Sequence, residues 1–218
     1  MKLKDKVEIP KYSLGEELFS SISHGIGSLL SIAALVLCVV FSAIDGNVYA
    51  IVSSSIYGST SIILYTMSTL YHSLKVNNAK RVFRIIDHSS IYLLIAGTYT
   101  PYCLVILPKM LGWTIFGIEW FCAILGIILN SIDIKKYKKI SMILYLVMGW
   151  MILFSFKPLI NNLNIVGIYL MLIGGILYTI GAIIYGLGKK YKYIHSIFHL
   201  FVLAASILFF FSILLYVI

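Results

Sequence analysis

The chain has 218 residues, of which 61% are hydrophobic and only 11% are charged, and its formal net charge is +9. Soluble domains carry about 25% charged residues and roughly 45–50% apolar ones, so this composition excludes a soluble globular enzyme, a disordered protein and a disulfide scaffold. Long apolar runs that are interrupted by charge predict an all-α, polytopic membrane protein instead.

Seven apolar segments follow one another along the chain. Each is expected to be a helix, since a span must satisfy its own backbone hydrogen bonds and these runs lack the alternation of a barrel. The first run, from about Leu18 to Ile44, is too long for the apolar region of a signal peptide. The predicted spans are residues 18–43, 48–72, 84–107, 111–132, 140–157, 164–187 and 194–218. Residues 1–17 are then a short basic arm, and residues 18–218 are a single seven-transmembrane domain.

Lysine and arginine residues predict the orientation of the spans. Fifteen of the 17 lie in the N-terminal arm or in the loops after spans 2, 4 and 6, whereas Lys109 and Lys157 lie on the other side. The positive-inside rule therefore predicts a cytoplasmic N-terminus and an external C-terminus. Basic charge confined to short loops favours contact with anionic lipid headgroups, and it argues against a nucleic acid partner.

A few ionisable residues fall inside the predicted spans, where such residues are costly and each suggests a functional site. They are His24, His72, Asp87, His88, Glu119, His195 and His199. The predicted topology puts the cytoplasmic ends of spans 2, 3 and 7 at one depth. His72, Asp87, His195 and His199 are therefore expected near the cytoplasmic face together.

The spacing of these residues favours a metal site. His195 and His199 are four residues apart, which puts both rings on one helical face about 6 Å apart along the axis. Ser68 and His72 have the same spacing. Three histidines leave a fourth tetrahedral position for water, as in a catalytic rather than a structural zinc site. Asp87 could hold an imidazole N–H or that water.

Simpler interpretations exist for each of these polar residues. A histidine or serine in a span often only bonds a neighbouring helix. His24 and His88 are expected to pair locally or to meet headgroups. Glu119, nearer the outside, is expected to be a separate buried polar contact. The three cysteines lie in apolar runs without CxxC spacing and are expected to be small buried hydrophobes; they are Cys38, Cys103 and Cys122.

Four motifs in this order resemble the hemolysin III family, the bacterial branch of the progestin and adipoQ receptor superfamily. They are His24-Gly25-Ile26-Gly27, Ser68-x-x-x-His72, Arg84-Ile85-Ile86-Asp87-His88 running on to Gly97-Thr98-Tyr99-Thr100-Pro101, and His195-x-x-x-His199. The resemblance covers nearly the whole chain. It implies a bacterial plasma membrane location and Zn²⁺ bound by His72, His195 and His199 near the cytoplasmic face. It also implies that Asp87 and Ser68 contact or orient the zinc water.

Three functions remain open on these grounds. The first is a zinc-dependent, ceramidase-like hydrolase that cleaves an amide or ester of a membrane lipid. The second is a non-enzymatic membrane-homeostasis or sensor protein whose zinc is structural. The third is a channel or cytolysin, which the family name suggests, although the sequence has no acidic ring and no amphipathic pore-lining stripe. The oligomeric state is not predicted.

Overall fold

The structure, a computed structural model, describes residues 3–187 and 191–218 and, within them, contains helices and no strand. This agrees with the predicted all-α class. The helices are α1 (Leu3–Lys6), α2 (Leu14–Ile44), α3 (Val48–Ser73), α4 (Asn78–Pro101), α5 (Lys109–Gly149), α6 (Phe156–Asn162), α7 (Ile165–Leu187) and α8 (Ile194–Tyr216). A π-helical turn, Tyr102–Ile106, extends α4, and a 3-10 turn, Met151–Ser155, precedes α6. Three of the lysines used for the orientation, Lys2, Lys189 and Lys190, lie outside the described residues.

Six helical segments of the described chain are long and apolar enough to cross a membrane. The segment from Lys109 to Asn162 has 54 residues and takes the place of two predicted spans. Its helical geometry breaks at Asp133, where φ is −165° and ψ is 95°. The Asn130 side chain then donates a hydrogen bond to the Tyr145 hydroxyl at 3.4 Å, although residues 15 apart in a straight helix lie about 22 Å apart along its axis. The segment therefore turns back on itself, and its two halves pack side by side.

The first long helix begins earlier than the hydrophobicity alone predicted. Ser13 and Glu16 form a capping box, in which Glu16 N–H donates to Ser13 Oγ at 3.3 Å and Ser13 N–H donates to Glu16 Oε2 at 2.8 Å. Such a reciprocal pair satisfies backbone donors that a helix start otherwise leaves free. Helix α2 therefore begins at Leu14 rather than at residue 18. This brings Glu17 into the first turn of a membrane helix.

Helix packing brings the first and the last long helices of the chain together. Helices α2, α3, α4 and α5 pack in sequence, α7 packs on α8, and α8 returns to contact α2. Glu16 Oε1 accepts a hydrogen bond from the Tyr193 N–H at 2.8 Å, which fixes the start of α8 against the start of α2. Gly27 permits the close approach of α2 to α3, because a Cβ there would lie 2.5 Å from the Tyr65 ring. Because α2 contacts both helices, the start of α8 lies beside the end of α3.

Large apolar side chains cover much of the outer surface. Leu29, Phe121 and Ile183, from three different long helices, are each more than half exposed. An apolar surface of this extent would be unstable in water but suits contact with lipid chains. Together with the apolar helices, it makes the protein a multi-pass membrane protein.

Candidate metal centre

Three buried histidines from two helices converge on one point. His72 lies in the last turn of α3, and His195 and His199 lie in the first two turns of α8. The Nε2 atom of His195 is 3.3 Å from Nε2 of His72 and 3.1 Å from Nε2 of His199. One ligand atom from each residue lies within 4.8 Å of the other two. The predicted juxtaposition of these three residues is therefore found in the structure.

The donor set suits a metal ion. Two nitrogens bound to one tetrahedral zinc at 2.0–2.1 Å lie about 3.3 Å apart, close to the separations found here. Neutral imidazole nitrogen is among the commonest protein ligands for zinc and other transition metals. His199 Nδ1 is also buried and, among the described residues, has no hydrogen-bond partner. His72, His195 and His199 could therefore hold a metal ion together.

A half-buried carboxylate, that of Glu17, contacts one of the three rings. His72 Nδ1 lies 2.7 Å from Glu17 Oε2, while Lys80 Nζ donates to Glu17 Oε1 at 2.6 Å and to the Leu74 carbonyl at 2.9 Å. If Nδ1 carries the proton and donates a hydrogen bond to Glu17, the Nε2 lone pair is free to face the other two histidines. Carboxylate partners of metal-binding histidines fix the tautomer and the ring orientation in this way.

Sequence reasoning missed both Glu17 and Lys80. Glu17 was counted with the N-terminal arm, and Lys80 was used only as a charge that reports topology. The Ser13-x-x-Glu16 pattern is the signal that would have extended the helix to include Glu17. Lys80 offers no comparable signal, because its 1% exposure follows from its ion pair and from the packing of its stem.

The segment that precedes α2 covers the histidines. The Tyr12 ring stacks on the His195 ring, with centroids 4.8 Å apart and planes 10° apart, and its centroid is 6.0 Å from that of His72. Val7, earlier in the segment, is buried. Burial raises the pKa of the Tyr12 hydroxyl above its ordinary value, so this phenol stays neutral. The predicted basic arm is therefore in part a cover over the site.

An apolar cavity of about 140 Å³ adjoins the histidines. Ser68, Asp87, His195 and His199 are among its lining residues. Several aromatic side chains also line it, including Tyr99, Trp150, Tyr178 and Phe209. Asp87 interacts electrostatically with His72 and lies within hydrogen-bonding reach of Ser68. Ser68 Oγ is buried. The structure thus brings both predicted catalytic residues to the cavity that the histidines border.

The other two histidines occupy different positions. The His24 ring is buried, its centroid is 3.8 Å from that of His199, and neither nitrogen has a hydrogen-bond partner in residues 3–187 and 191–218. His24 therefore lies directly against one of the three candidate ligands and also contacts the Tyr65 ring. His88 lies beside Tyr185, with ring centroids 6.0 Å apart, and Tyr145 donates to its backbone carbonyl.

Glu119 and the cysteines lie away from the centre. Glu119 is fully buried, and within the described residues neither of its oxygens has a hydrogen-bond partner. Its electrostatic neighbours include Tyr99 and Cys103. It is separate from the histidines as predicted, but it makes none of the polar contacts expected of it. Cys38 and Cys103 are buried in the apolar core, as expected of small hydrophobes.

Comparison with known proteins agrees with the resemblance drawn from the motifs. The family model described as "Haemolysin-III related" matches residues 12–210. The chain is 45% identical over 202 residues to Hemolysin-3 of Bacillus cereus, covering 93% of this chain and 92% of that protein. It is 44% identical over 205 residues to the Hemolysin-3 homolog of Bacillus subtilis, covering 94% and 96%.

A more distant relative is human. The monocyte to macrophage differentiation factor of Homo sapiens is 26% identical over 196 residues, which cover 85% of this chain and 79% of that protein. No solved structure matches the chain. The bacterial relatives, together with six apolar helices, indicate the cell membrane as its location. The chain therefore belongs to the haemolysin-III-related family.

Proposed function

We propose that the protein is a zinc-dependent hydrolase that cleaves an amide or ester bond of a membrane lipid. The observation that carries this proposal is the convergence of three histidine Nε2 atoms beside an apolar cavity that also contains Ser68 and Asp87. A purely structural metal site has no need of such a cavity. The cavity suits an acyl chain, and the neighbouring polar groups suit the bond that joins the chain to its headgroup.

His72, His195 and His199 would hold the zinc, and Glu17 would keep His72 in the tautomer that binds it. A zinc ion with three protein ligands polarises a carbonyl and makes a water nucleophile available near neutral pH. Asp87 would orient that water and accept its proton. Ser68 Oγ, which lies near Asp87 in the same cavity, can donate a hydrogen bond to the carbonyl oxygen as negative charge develops on it.

The test is turnover by purified, zinc-loaded protein on lipid amides, lipid esters and phospholipids. Asp87→Asn is expected to keep its zinc and its Tm while losing about 10²- to 10⁴-fold in turnover, the usual contribution of a general base. Ser68→Ala is expected to lose about 10²-fold or more. Ser61→Ala is the matched control, because Ser61 is a buried serine of the same helix that bonds only the Tyr57 carbonyl. Zinc-loaded wild type that cleaves none of these lipids would refute the proposal.

A structural metal is the second candidate, and the contacts of Glu17 favour it. Glu17 of α2 contacts His72 of α3 and Lys80 of α4, and His72 contacts His195 of α8. The cluster therefore ties four helices together. If this is its whole role, His199→Ala lowers the Tm as much as chelation does, whereas Asp87→Asn changes neither stability nor any cellular function of the protein.

We further propose that the chain crosses the membrane seven times, with the N-terminus in the cytoplasm. The reversal at Asp133 and the one-sided distribution of lysine and arginine support this topology. In a variant without its native cysteines, Asp45→Cys is expected to react with an impermeant maleimide on intact cells, and Asp133→Cys is not. Equal labelling of the two positions would contradict this topology.

A further inference from the structure

A second cavity, of about 260 Å³, lies beside the metal centre between α4, α5 and the N-terminal segment. Three basic side chains line it, Arg84 from α4 and Lys135 and Lys138 from α5, together with one carboxylate, Glu8. Asn130 and Ser141 add polar groups to its wall. Its charge is therefore predominantly positive, and it offers several hydrogen-bond donors to a ligand.

Arg84 carries buried donors that lack acceptors. Its Nε and Nη1 atoms are buried, and no described residue accepts a hydrogen bond from either. Asp87 interacts with the guanidinium electrostatically, and the Tyr185 hydroxyl lies within hydrogen-bonding reach of it, yet neither satisfies these two nitrogens. A guanidinium is always charged and matches the paired oxygens of a carboxylate or phosphate. The two free donors indicate that an anion completes this pocket.

The basic pocket adjoins the apolar cavity of the metal centre. His88, Met142, Tyr145 and Tyr185 line both. The Tyr185 ring centroid is 5.9 Å from that of His195, and Lys138 Nζ lies 5.3 Å from the same Tyr185 centroid. A single aromatic ring thus separates the basic pocket from the candidate metal ligands. A ligand that fills both spaces has an anionic head and an apolar chain.

We propose that Arg84 and Lys138 bind the phosphate group of an anionic lipid whose acyl chain enters the apolar cavity. In this arrangement, the bond that joins the headgroup to the acyl chain lies close to the three histidines. That the lipid is a substrate rests on the proposed hydrolase function, whereas its binding does not. A neutral lipid headgroup without an anionic oxygen would leave the two buried Arg84 donors without an acceptor.

The experiment measures the Tm and the apparent Kd of the full-length protein in neutral detergent. Its three probes are short-chain phosphatidic acid, phosphatidylcholine with the same chains, and inorganic phosphate. Phosphatidic acid is expected to raise the wild-type Tm more than either other probe. Arg84→Gln and Lys138→Gln are each expected to weaken its binding about tenfold or more, as loss of a charge-assisted hydrogen bond does. Lys157→Gln, an exposed lysine of α6 that does not line the pocket, is the control and should bind as wild type does.

Three results would overturn the inference. Equal stabilisation by phosphatidylcholine would show that the headgroup charge is not recognised. Equal stabilisation by inorganic phosphate would show a free-anion site instead of a lipid site. Unchanged binding by both Arg84→Gln and Lys138→Gln would show that the anion binds elsewhere. Anionic lipid that binds but is never cleaved refutes the hydrolase and leaves this inference standing, whereas cleavage without anionic preference refutes this inference alone.

Discussion

The histidine centre and Glu119 are two buried polar regions of the same apolar bundle, and they differ in their surroundings. At the centre, three histidine rings from two helices converge. Glu17 Oε2 lies 2.7 Å from Nδ1 of His72, and Lys80 Nζ donates a hydrogen bond of 2.6 Å to the other oxygen of Glu17. Glu119 is as deeply buried, but within the described residues its carboxyl has no hydrogen-bond partner. Burial of a polar side chain in a membrane protein is therefore a poor guide to a site. A better guide is the convergence of several polar side chains that are themselves held by hydrogen bonds to neighbouring residues.

The first prediction concerns the contact between Glu17 and His72. Glu17→Gln is expected to lower zinc affinity about 10- to 100-fold, because an amide no longer holds His72 in one tautomer as the carboxylate does. Glu119→Gln makes the same chemical change at the isolated position and is expected to leave zinc affinity unchanged. Competition with a chelator of known zinc affinity measures both. Equal effects of the two variants would remove the distinction between the two regions.

The second prediction concerns the isolated carboxyl. Glu119→Met replaces a buried group without a described partner by an apolar side chain of similar volume, and it is expected to raise stability by about 1 kcal/mol or more. The measurement is the Tm in detergent, with zinc content as the parallel reading. A clear loss of stability would mean that the Glu119 carboxyl has an important partner in the membrane.

The third prediction, with the smallest effect, concerns the cover over the centre. Tyr12→Ala is expected to speed zinc removal by a chelator by about two- to tenfold, since it removes a ring stacked on His195. Tyr12→Phe keeps the ring and should behave as wild type. Stopped-flow mixing with a coloured chelator follows the release. If Tyr12→Ala releases zinc no faster than Tyr12→Phe, the ring does not protect the site.

The sequence predicted the centre well because periodicity and charge are local signals. The four-residue spacing of His195 and His199 fixes their common face, and the lysine pattern put the end of α3 and the start of α8 at one depth. Tertiary contacts were harder to foresee. Tyr12 reaches His195 only through the path of a short non-periodic segment, and Arg84 has free donors only because of how α4 packs against its neighbours.

The predicted and observed numbers of membrane-crossing helical segments also differ: seven were predicted, and the described chain has six. Two predicted spans, 111–132 and 140–157, belong to one helical segment from Lys109 to Asn162. The lysines from 135 to 139, expected to form a loop, are helical. Lysine has good helix propensity, so a basic stretch can remain helical where charge alone suggests a break. The reversal is visible only in the structure, in the backbone geometry at Asp133 and in the hydrogen bond from Asn130 to Tyr145.

Metal analysis of the purified protein tests the central claim most directly. Wild type, His72→Ala, His195→Ala and Glu119→Gln would be expressed with zinc, purified without chelator and measured by mass spectrometry for metal per chain. About one zinc per chain is expected in wild type and in Glu119→Gln, and close to none in His72→Ala and His195→Ala. Zinc that survives loss of either histidine, or a wild type that takes up no metal even when zinc is supplied, would contradict this expectation.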